Sequence, residues 1–99
     1  MNAKEIVSTI NHDISQTGAR YYNQFYVGIT DNEARFKKMH NVNDEKWSKS
    51  YLAANLGEAQ TVKTFYINQG MRGTKNSSHT DSKGQVYVYC YLITNSTYE

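Results

Sequence analysis

Proline is absent from this chain of 99 residues, and cysteine occurs once, at Cys90. A single cysteine excludes an internal disulfide, and the widely separated histidines and Cys90 show no zinc-ligand spacing. We therefore expect a reducing, cytoplasmic location. No apolar run approaches the roughly 20 residues that a membrane helix needs, and the N-terminal segment is too polar for a signal peptide. The sequence thus predicts no membrane partner.

Charge of one sign is also scarce, since the net charge is only +2. This weakly basic balance permits a nucleic-acid partner without requiring one. Aromatic residues, by contrast, are abundant, with nine tyrosines, three phenylalanines and one tryptophan. Tyrosine combines a large apolar ring with a hydroxyl that needs a partner. A chain of this length buries one modest core, so we expect a single domain spanning residues 1–99.

Helical and alternating patterns follow one another along the chain. Three pairs have the spacing of a capping box and mark helix starts; they are Asn2 with Glu5, Thr30 with Glu33, and Asn55 with Glu58. The patterns predict helices over 2–14, 30–40 and 55–69 and strands over 20–29, 47–55 and 85–94. The predicted fold is α+β in the order α-β-α-β-α-β, with a small three-stranded sheet flanked by three helices.

The last strand alternates most clearly. One face carries Val86, Val88, Cys90 and Leu92, and the other carries Tyr87, Tyr89, Tyr91 and Ile93. This pattern predicts that Cys90 is a buried structural thiol. A polar segment over about 71–84 precedes the strand and is predicted to be a mobile loop. Arg72, at its start, is a candidate contact for a phosphate-bearing ligand.

Residues 26–30, Tyr-Val-Gly-Ile-Thr, followed by Arg35 and His40, resemble the second motif of the GIY-YIG nuclease superfamily. The resemblance covers about 26–70 and implies a GIY-YIG-like core. It also implies that Tyr26 lies at the reacting phosphate, that Arg35 stabilises the developing charge, and that His40 assists proton transfer or binds phosphate. A guanidinium suits this role because its planar fork matches phosphate oxygens. The alternative is an ordinary strand–turn–helix unit, with Arg35 as a surface charge and His40 as a partner of the helix dipole at the C-terminal end.

Two further residues of the motif, Gly28 and Thr30, are candidates for substrate binding, because a glycine lets the backbone approach a ligand closely. The family's opening strand is missing, since Tyr21 and Tyr22 stand too close to Tyr26 to form a hairpin with it. We therefore expect the C-terminal strand, 86–92, to pair with the strand at 22–29. It would bring Tyr87 or Tyr89 towards the site, unless these rings simply pack against a helix.

The third helix carries Lys63 where the resemblance implies a metal-binding glutamate. Lysine cannot ligate Mg²⁺, and Glu58 is better explained as a capping residue, so no metal ligand is predicted. Lys63 would instead contact a phosphate, as a pair with Arg35, if both helices pack on the same sheet edge. A solvated lysine is the alternative.

Three functions stay open at this point. The first is a GIY-YIG-like domain that binds nucleic acid or a nucleotide phosphate without metal-dependent cleavage. The second is an active, divergent GIY-YIG endonuclease, which would use Mg²⁺. The third is a small phage-type inhibitor that uses the fold as a scaffold for a protein partner, with surface tyrosines at the interface.

Overall fold

The computed structural model describes residues 1–19, 21–42, 47–73, 85–94 and 97. These residues form three α-helices and three strands in the predicted α-β-α-β-α-β order. They are α1 (Ala3–Ser15), β1 (Phe25–Thr30), α2 (Glu33–Met39), β2 (Ser48–Ala53), α3 (Leu56–Gln69) and β3 (Val86–Leu92). None of these helices has the length and apolarity to cross a membrane.

The C-terminal strand lies at the centre of the sheet. The strand order is β1-β3-β2, and β3 pairs antiparallel with both neighbours. Its register on β1 places Tyr91 opposite Tyr26 and Tyr89 opposite Gly28. The expected pairing of residues 86–92 with the first strand is therefore confirmed. The fold is a small α+β domain with an antiparallel sheet.

One face of the sheet, the first face, packs against α1 and α3. Its buried side chains include Val27 of β1 and Val88 and Cys90 of β3, together with Val62 and Tyr66 of α3. Cys90 is fully buried, and desolvation raises the pKa of its thiol well above the ordinary value, so the thiol stays protonated and inert. The prediction of a structural thiol is confirmed, as is the alternation of the last strand.

The opposite face, the second or tyrosine face, carries several tyrosines and packs against α2. Tyr26 of β1 and Tyr89 and Tyr91 of β3 form a second buried cluster there with Phe36 of α2 and Val42. Because side chains alternate along a strand, Tyr26 and Val27 point to opposite faces. This second face therefore holds Tyr26 of the predicted motif, together with the end of α2 that carries His40.

Two predicted boundaries are wrong at the ends of β1. The strand begins at Phe25, because Tyr22–Gln24 form a 3₁₀ turn that is closed by a bond from the Gln24 N–H to the Tyr21 carbonyl. At the other end Thr30 does not cap α2. Asn32 does so instead, since its side chain accepts from the Ala34 N–H at 3.0 Å. The helix therefore begins at Glu33.

The other two helix starts follow the predicted caps in part. Asn2 and Glu5 form the complete capping box of α1. The side chain of Asn55 caps α3 by accepting from the Glu58 N–H at 2.9 Å. The carboxylate of Glu58, however, accepts from the Ala3 N–H at 3.0 Å and so ties α3 to α1. The interpretation of Glu58 as a capping-box residue is therefore wrong for its side chain.

The first residues of the predicted polar loop belong to the sheet edge. The Val27 N–H donates to the Arg72 carbonyl at 2.9 Å, and the Arg72 N–H donates to the Phe25 carbonyl at 3.0 Å. Gly73 follows, at a point where an added Cβ would lie 2.7 Å from the Val27 carbonyl oxygen. Residues 71–73, the first residues of the predicted loop, therefore run along the edge of β1. Residues 74–84 lie outside the described part of the chain.

Candidate functional site

Three tyrosine rings are stacked on the second face of the sheet. The Tyr26 ring lies 5.2 Å from that of Tyr91 and 6.3 Å from that of Tyr89, with interplanar angles of 18° and 17°. The imidazole of His40, at the end of α2, lies 4.7 Å from the Tyr26 ring. We call Tyr26, His40, Tyr89 and Tyr91 the tyrosine–histidine cluster. It joins β1, β3 and the end of α2.

Gly28 makes room for this cluster. An added Cβ at Gly28 would lie only 2.4 Å from Cζ and Oη of Tyr89. The Tyr89 ring therefore lies over β1 at Gly28, its partner on the neighbouring strand, where no side chain blocks it. The space that a ligand would need beside Gly28 is filled by protein. The prediction for Gly28 was the close approach of a ligand, whereas the group that lies against it is the Tyr89 ring.

His40 binds two tyrosine hydroxyls at once. Its Nε2 lies 2.8 Å from Oη of Tyr89, and its Nδ1 lies 3.1 Å from Oη of Tyr91. A neutral imidazole donates from one nitrogen and accepts at the other, so one tyrosine accepts from His40 and the other donates to it. His40 is only 5% exposed. It fixes the C-terminal end of α2 on the sheet, and is not a surface partner of the helix dipole.

Phe36 anchors the middle of α2, and Arg35 lies at the surface beside it. The Phe36 ring stacks on that of Tyr89 with centroids 4.3 Å apart. The Arg35 side chain is 49% exposed and pairs with Asp31 through Nη1 and Oδ1 at 2.9 Å. An exposed pair of this kind contributes only about 0–1 kcal/mol. A phosphate can therefore replace Asp31 at small cost.

Two hydroxyls of the cluster differ in their partners. Burial raises the pKa of Tyr89 well above its ordinary value, and this hydroxyl forms the bond with His40. Tyr26 is 4% exposed, and no described residue forms a hydrogen bond with its hydroxyl. The neighbouring motif residue, Thr30, has its hydroxyl engaged with the backbone of Asn32. Thr30 therefore shapes the turn into α2.

Lys63 does not join this site. It lies on α3, which packs against the first face, whereas Arg35 lies on α2 over the second face. The expected Arg35–Lys63 pair is therefore wrong. Lys63 is only 7% exposed, and it forms no hydrogen bond or ion pair within the described ranges. Desolvation lowers the pKa of its ammonium. The alternative of a solvated lysine is also wrong.

The last two candidates lie apart from the cluster. Tyr87 shares a sheet face with Tyr89, but its hydroxyl donates to the Gln85 side chain at 2.8 Å. Of the two tyrosines that were expected near Tyr26, only Tyr89 reaches it. Arg72 lies at the outer edge of β1, where it bridges to Tyr26 through the backbone.

The described residues do not fit a Mg²⁺ site near Tyr26. Mg²⁺ is usually held by one or two carboxylates together with waters and substrate phosphates. Within the described ranges, no group of three His, Cys, Asp or Glu side chains is placed to hold a metal ion. Asp31 is the carboxylate beside Arg35 and is bound to it, while Glu58 is bound to the Ala3 N–H.

Sequence reasoning missed two members of this arrangement. Tyr91 stacks on Tyr26 and binds His40, and Phe36 holds α2 against Tyr89. The alternation that placed Tyr89 on the tyrosine face applies equally to Tyr91, two residues on. The signal for Phe36 is weaker, because an apolar residue next to Arg35 on a short helix has no unique interpretation.

No protein-family model, curated protein or solved structure matches this chain.

Proposed function

We propose that this domain binds the sugar–phosphate backbone of a nucleic acid on the exposed side of α2, with Arg35 as the main phosphate contact. The observation that carries the proposal is the position of Arg35. Phe36 and His40 fix α2 on the tyrosine face. The adjacent guanidinium is left half exposed, and Asp31 is its one partner among the residues that the structure describes. A cation held in place by a rigid helix binds phosphate with little ordering cost.

Further positive charge lies in the last turn of α2, at Lys37 and Lys38. Phosphate contacts by Arg and Lys release counterions and supply most of the sequence-independent affinity for nucleic acids. Arg35 adds geometry, because its planar fork binds two phosphate oxygens together. We infer that α2 binds the sugar–phosphate backbone of the nucleic acid and does not recognise its base sequence.

The same arrangement supports a GIY-YIG-like interpretation of the chain. In the family the opening strand pairs with the second-motif strand; here β3 pairs with β1 in its place and sets Tyr89 near Tyr26. We infer that the C-terminal strand substitutes for the missing opening strand. Lys63 at the expected metal-ligand position favours binding without metal-dependent cleavage.

The tyrosines favour binding of nucleic acid over a tyrosine-rich protein interface. Tyr26, Tyr51, Tyr66, Tyr89 and Tyr91 are all buried. Tyr21, at 67% exposure, is the one tyrosine among the exposed large apolar residues of the described ranges. The described part of the chain therefore exposes too few tyrosines to form an interface that is rich in them.

The test compares the wild type with Arg35→Ala and with a matched control, Lys4→Ala. Lys4 is an exposed cation on α1, which packs on the opposite face of the sheet. Labelled single- and double-stranded DNA and RNA are incubated in EDTA, Mg²⁺ or Mn²⁺, and binding and cleavage are read in the same lanes over a salt series. Circular dichroism checks that each variant is folded.

Arg35→Ala is expected to weaken binding across sequences and to reduce the slope of log affinity against log salt by about 1. Lys4→Ala is expected to leave both values unchanged. Equal binding by the wild type and Arg35→Ala, or equal losses in the two variants, would overturn the proposal. Cleavage that needs a divalent metal, Arg35 and the Tyr26 hydroxyl would instead establish an endonuclease.

A further inference from the structure

A small pocket lies at the end of α1, on the side of the sheet away from α2. The helix is followed by a turn that contains Gly18, whose φ of 78° is left-handed. The turn leaves a cavity of about 210 Å³. Its lining consists of Asn11, Ile14, Ser15, Ala19, Tyr21 and Tyr22. A volume below the roughly 300–1,000 Å³ of most small-molecule sites suits a single planar ring system.

The most exposed large apolar side chain among the described residues lines this pocket. Tyr21 is 67% exposed, although its backbone is held firmly. Its N–H donates to Oε1 of Gln24 at 3.0 Å, and its carbonyl accepts from the Gln24 N–H at 3.2 Å. The side chain therefore extends from a fixed backbone position and is largely exposed to solvent. Such a ring is suited to stack against a nucleobase.

Asn11 provides a polar group with spare donors and acceptors. Its side-chain amide lies 2.8 Å from Oη of the buried Tyr66, which also contacts the Val7 carbonyl at 2.9 Å. An amide has two donors and one oxygen that can accept twice, so one bond leaves both a donor and an acceptor available. No other described residue bonds this amide. Its orientation is fixed by Tyr66, and the remaining groups can bind the donor–acceptor edge of adenine.

We propose that this pocket binds one purine base, with adenine preferred, of a single-stranded nucleic acid. Tyr21 stacks on the base, and the Asn11 amide binds its edge. The inference rests on the proposed function, because it assigns a base contact to the nucleic acid whose phosphates Arg35 binds. The two contacts thus have different roles, since α2 binds the phosphates of the nucleic acid and the pocket selects for adenine.

The experiment measures affinity for three single strands of equal length: oligo-dA, oligo-dT and an abasic strand that has phosphates but no bases. The proteins are the wild type, Tyr21→Ala, Tyr21→Phe, Asn11→Ala and Arg35→Ala. Tyr21→Ala is expected to weaken oligo-dA binding by roughly 5- to 150-fold, the effect of losing one stacked base. Tyr21→Phe keeps the ring and is expected to retain affinity. Asn11→Ala is expected to reduce the preference for oligo-dA over oligo-dT.

The abasic strand separates this inference from the proposed function. Tyr21→Ala is expected to leave abasic binding unchanged, whereas Arg35→Ala weakens binding of every strand. If Arg35→Ala weakens all strands but Tyr21→Ala weakens none, the pocket assignment is overturned and the proposed function stands. A loss in Tyr21→Ala that is equal for oligo-dA and the abasic strand also overturns it.

Adenosine monophosphate gives an independent test in case no strand binds. It is titrated into ¹⁵N-labelled wild type and Tyr21→Ala, and amide chemical shifts are followed. Shifts at Ala19 and Tyr21 that disappear in the variant would support the pocket even if the proposed function fails. Absence of such shifts, together with no strand binding, would overturn both.

Discussion

Gly28→Ala tests whether the family-like glycine serves the cluster. In the folded protein the new Cβ would lie 2.4 Å from Cζ and Oη of Tyr89. Non-bonded carbons pack at about 3.5–4.0 Å, so the ring must move by roughly 1.1–1.6 Å. The 2.8 Å bond between Tyr89 and His40 would then be stretched beyond hydrogen-bond range. The end of α2 would lose one of its anchors.

The expected loss of stability has two parts. Overpacking a well-packed site costs about 1–3 kcal/mol. Breaking a buried hydrogen bond adds about 1 kcal/mol. Gly28→Ala is therefore expected to lower the free energy of unfolding by roughly 2–4 kcal/mol, measured by urea denaturation with far-UV circular dichroism.

A double-mutant cycle with Tyr89→Leu decides the cause. Leucine lacks the distal ring atoms that meet the new Cβ, so Gly28→Ala in the Tyr89→Leu background is expected to cost less than about 1 kcal/mol. The two changes should thus be strongly coupled. An equal cost of Gly28→Ala in both backgrounds would refute the reasoning, because the glycine would then be needed for a reason unrelated to Tyr89.

Two further changes test the first face and the sheet edge. Lys63→Met is expected to stabilise the protein at pH 7, since burial lowers the pKa of Lys63 below its ordinary 10.5. Between the lowered pKa and 10.5 the unfolded chain binds more protons than the folded protein, so the stability of the wild type rises with pH in this range. Urea titrations at several pH values should show this rise in the wild type and not in the variant. Equal profiles of the two proteins would contradict the burial of Lys63. Gly73→Ala places a Cβ 2.7 Å from the Val27 carbonyl oxygen. It is expected to cost about 1–3 kcal/mol and to speed hydrogen exchange at the Val27 amide, whereas unchanged exchange would contradict the edge pairing.

Local signals in the sequence predicted much of the fold. The alternation of residues 86–92 gave the correct faces for Cys90 and Tyr89, because a half-buried strand has a period of two. The hypothesis that residues 86–92 pair with the first strand was correct, although the resemblance that suggested it is itself untested. The first inference used a pattern within one short segment, and the second used the number of strands available to form the sheet. Neither needed knowledge of how distant side chains meet.

The site depended on contacts that no local pattern encodes. His40 lies at a helix end in the sequence, and its burial arises because Tyr26 of β1 and Tyr89 and Tyr91 of β3 pack around it. Lys63 and Arg35 were separated because α3 and α2 pack on opposite faces, and helical periodicity does not say which face a helix covers. The backbone pairing of Arg72 with β1 likewise joins residues that are far apart in the sequence.

The most direct test of the account is a map of the binding surface. A ¹⁵N-labelled sample is titrated with a short single-stranded DNA at low and high salt, and amide and Arg side-chain shifts are recorded. The account predicts salt-sensitive changes centred on Arg35 and Lys38 of α2, with further changes at Tyr21. Changes confined to the exposed residues of β2, Lys49 and Leu52, or no changes with any strand, would contradict it.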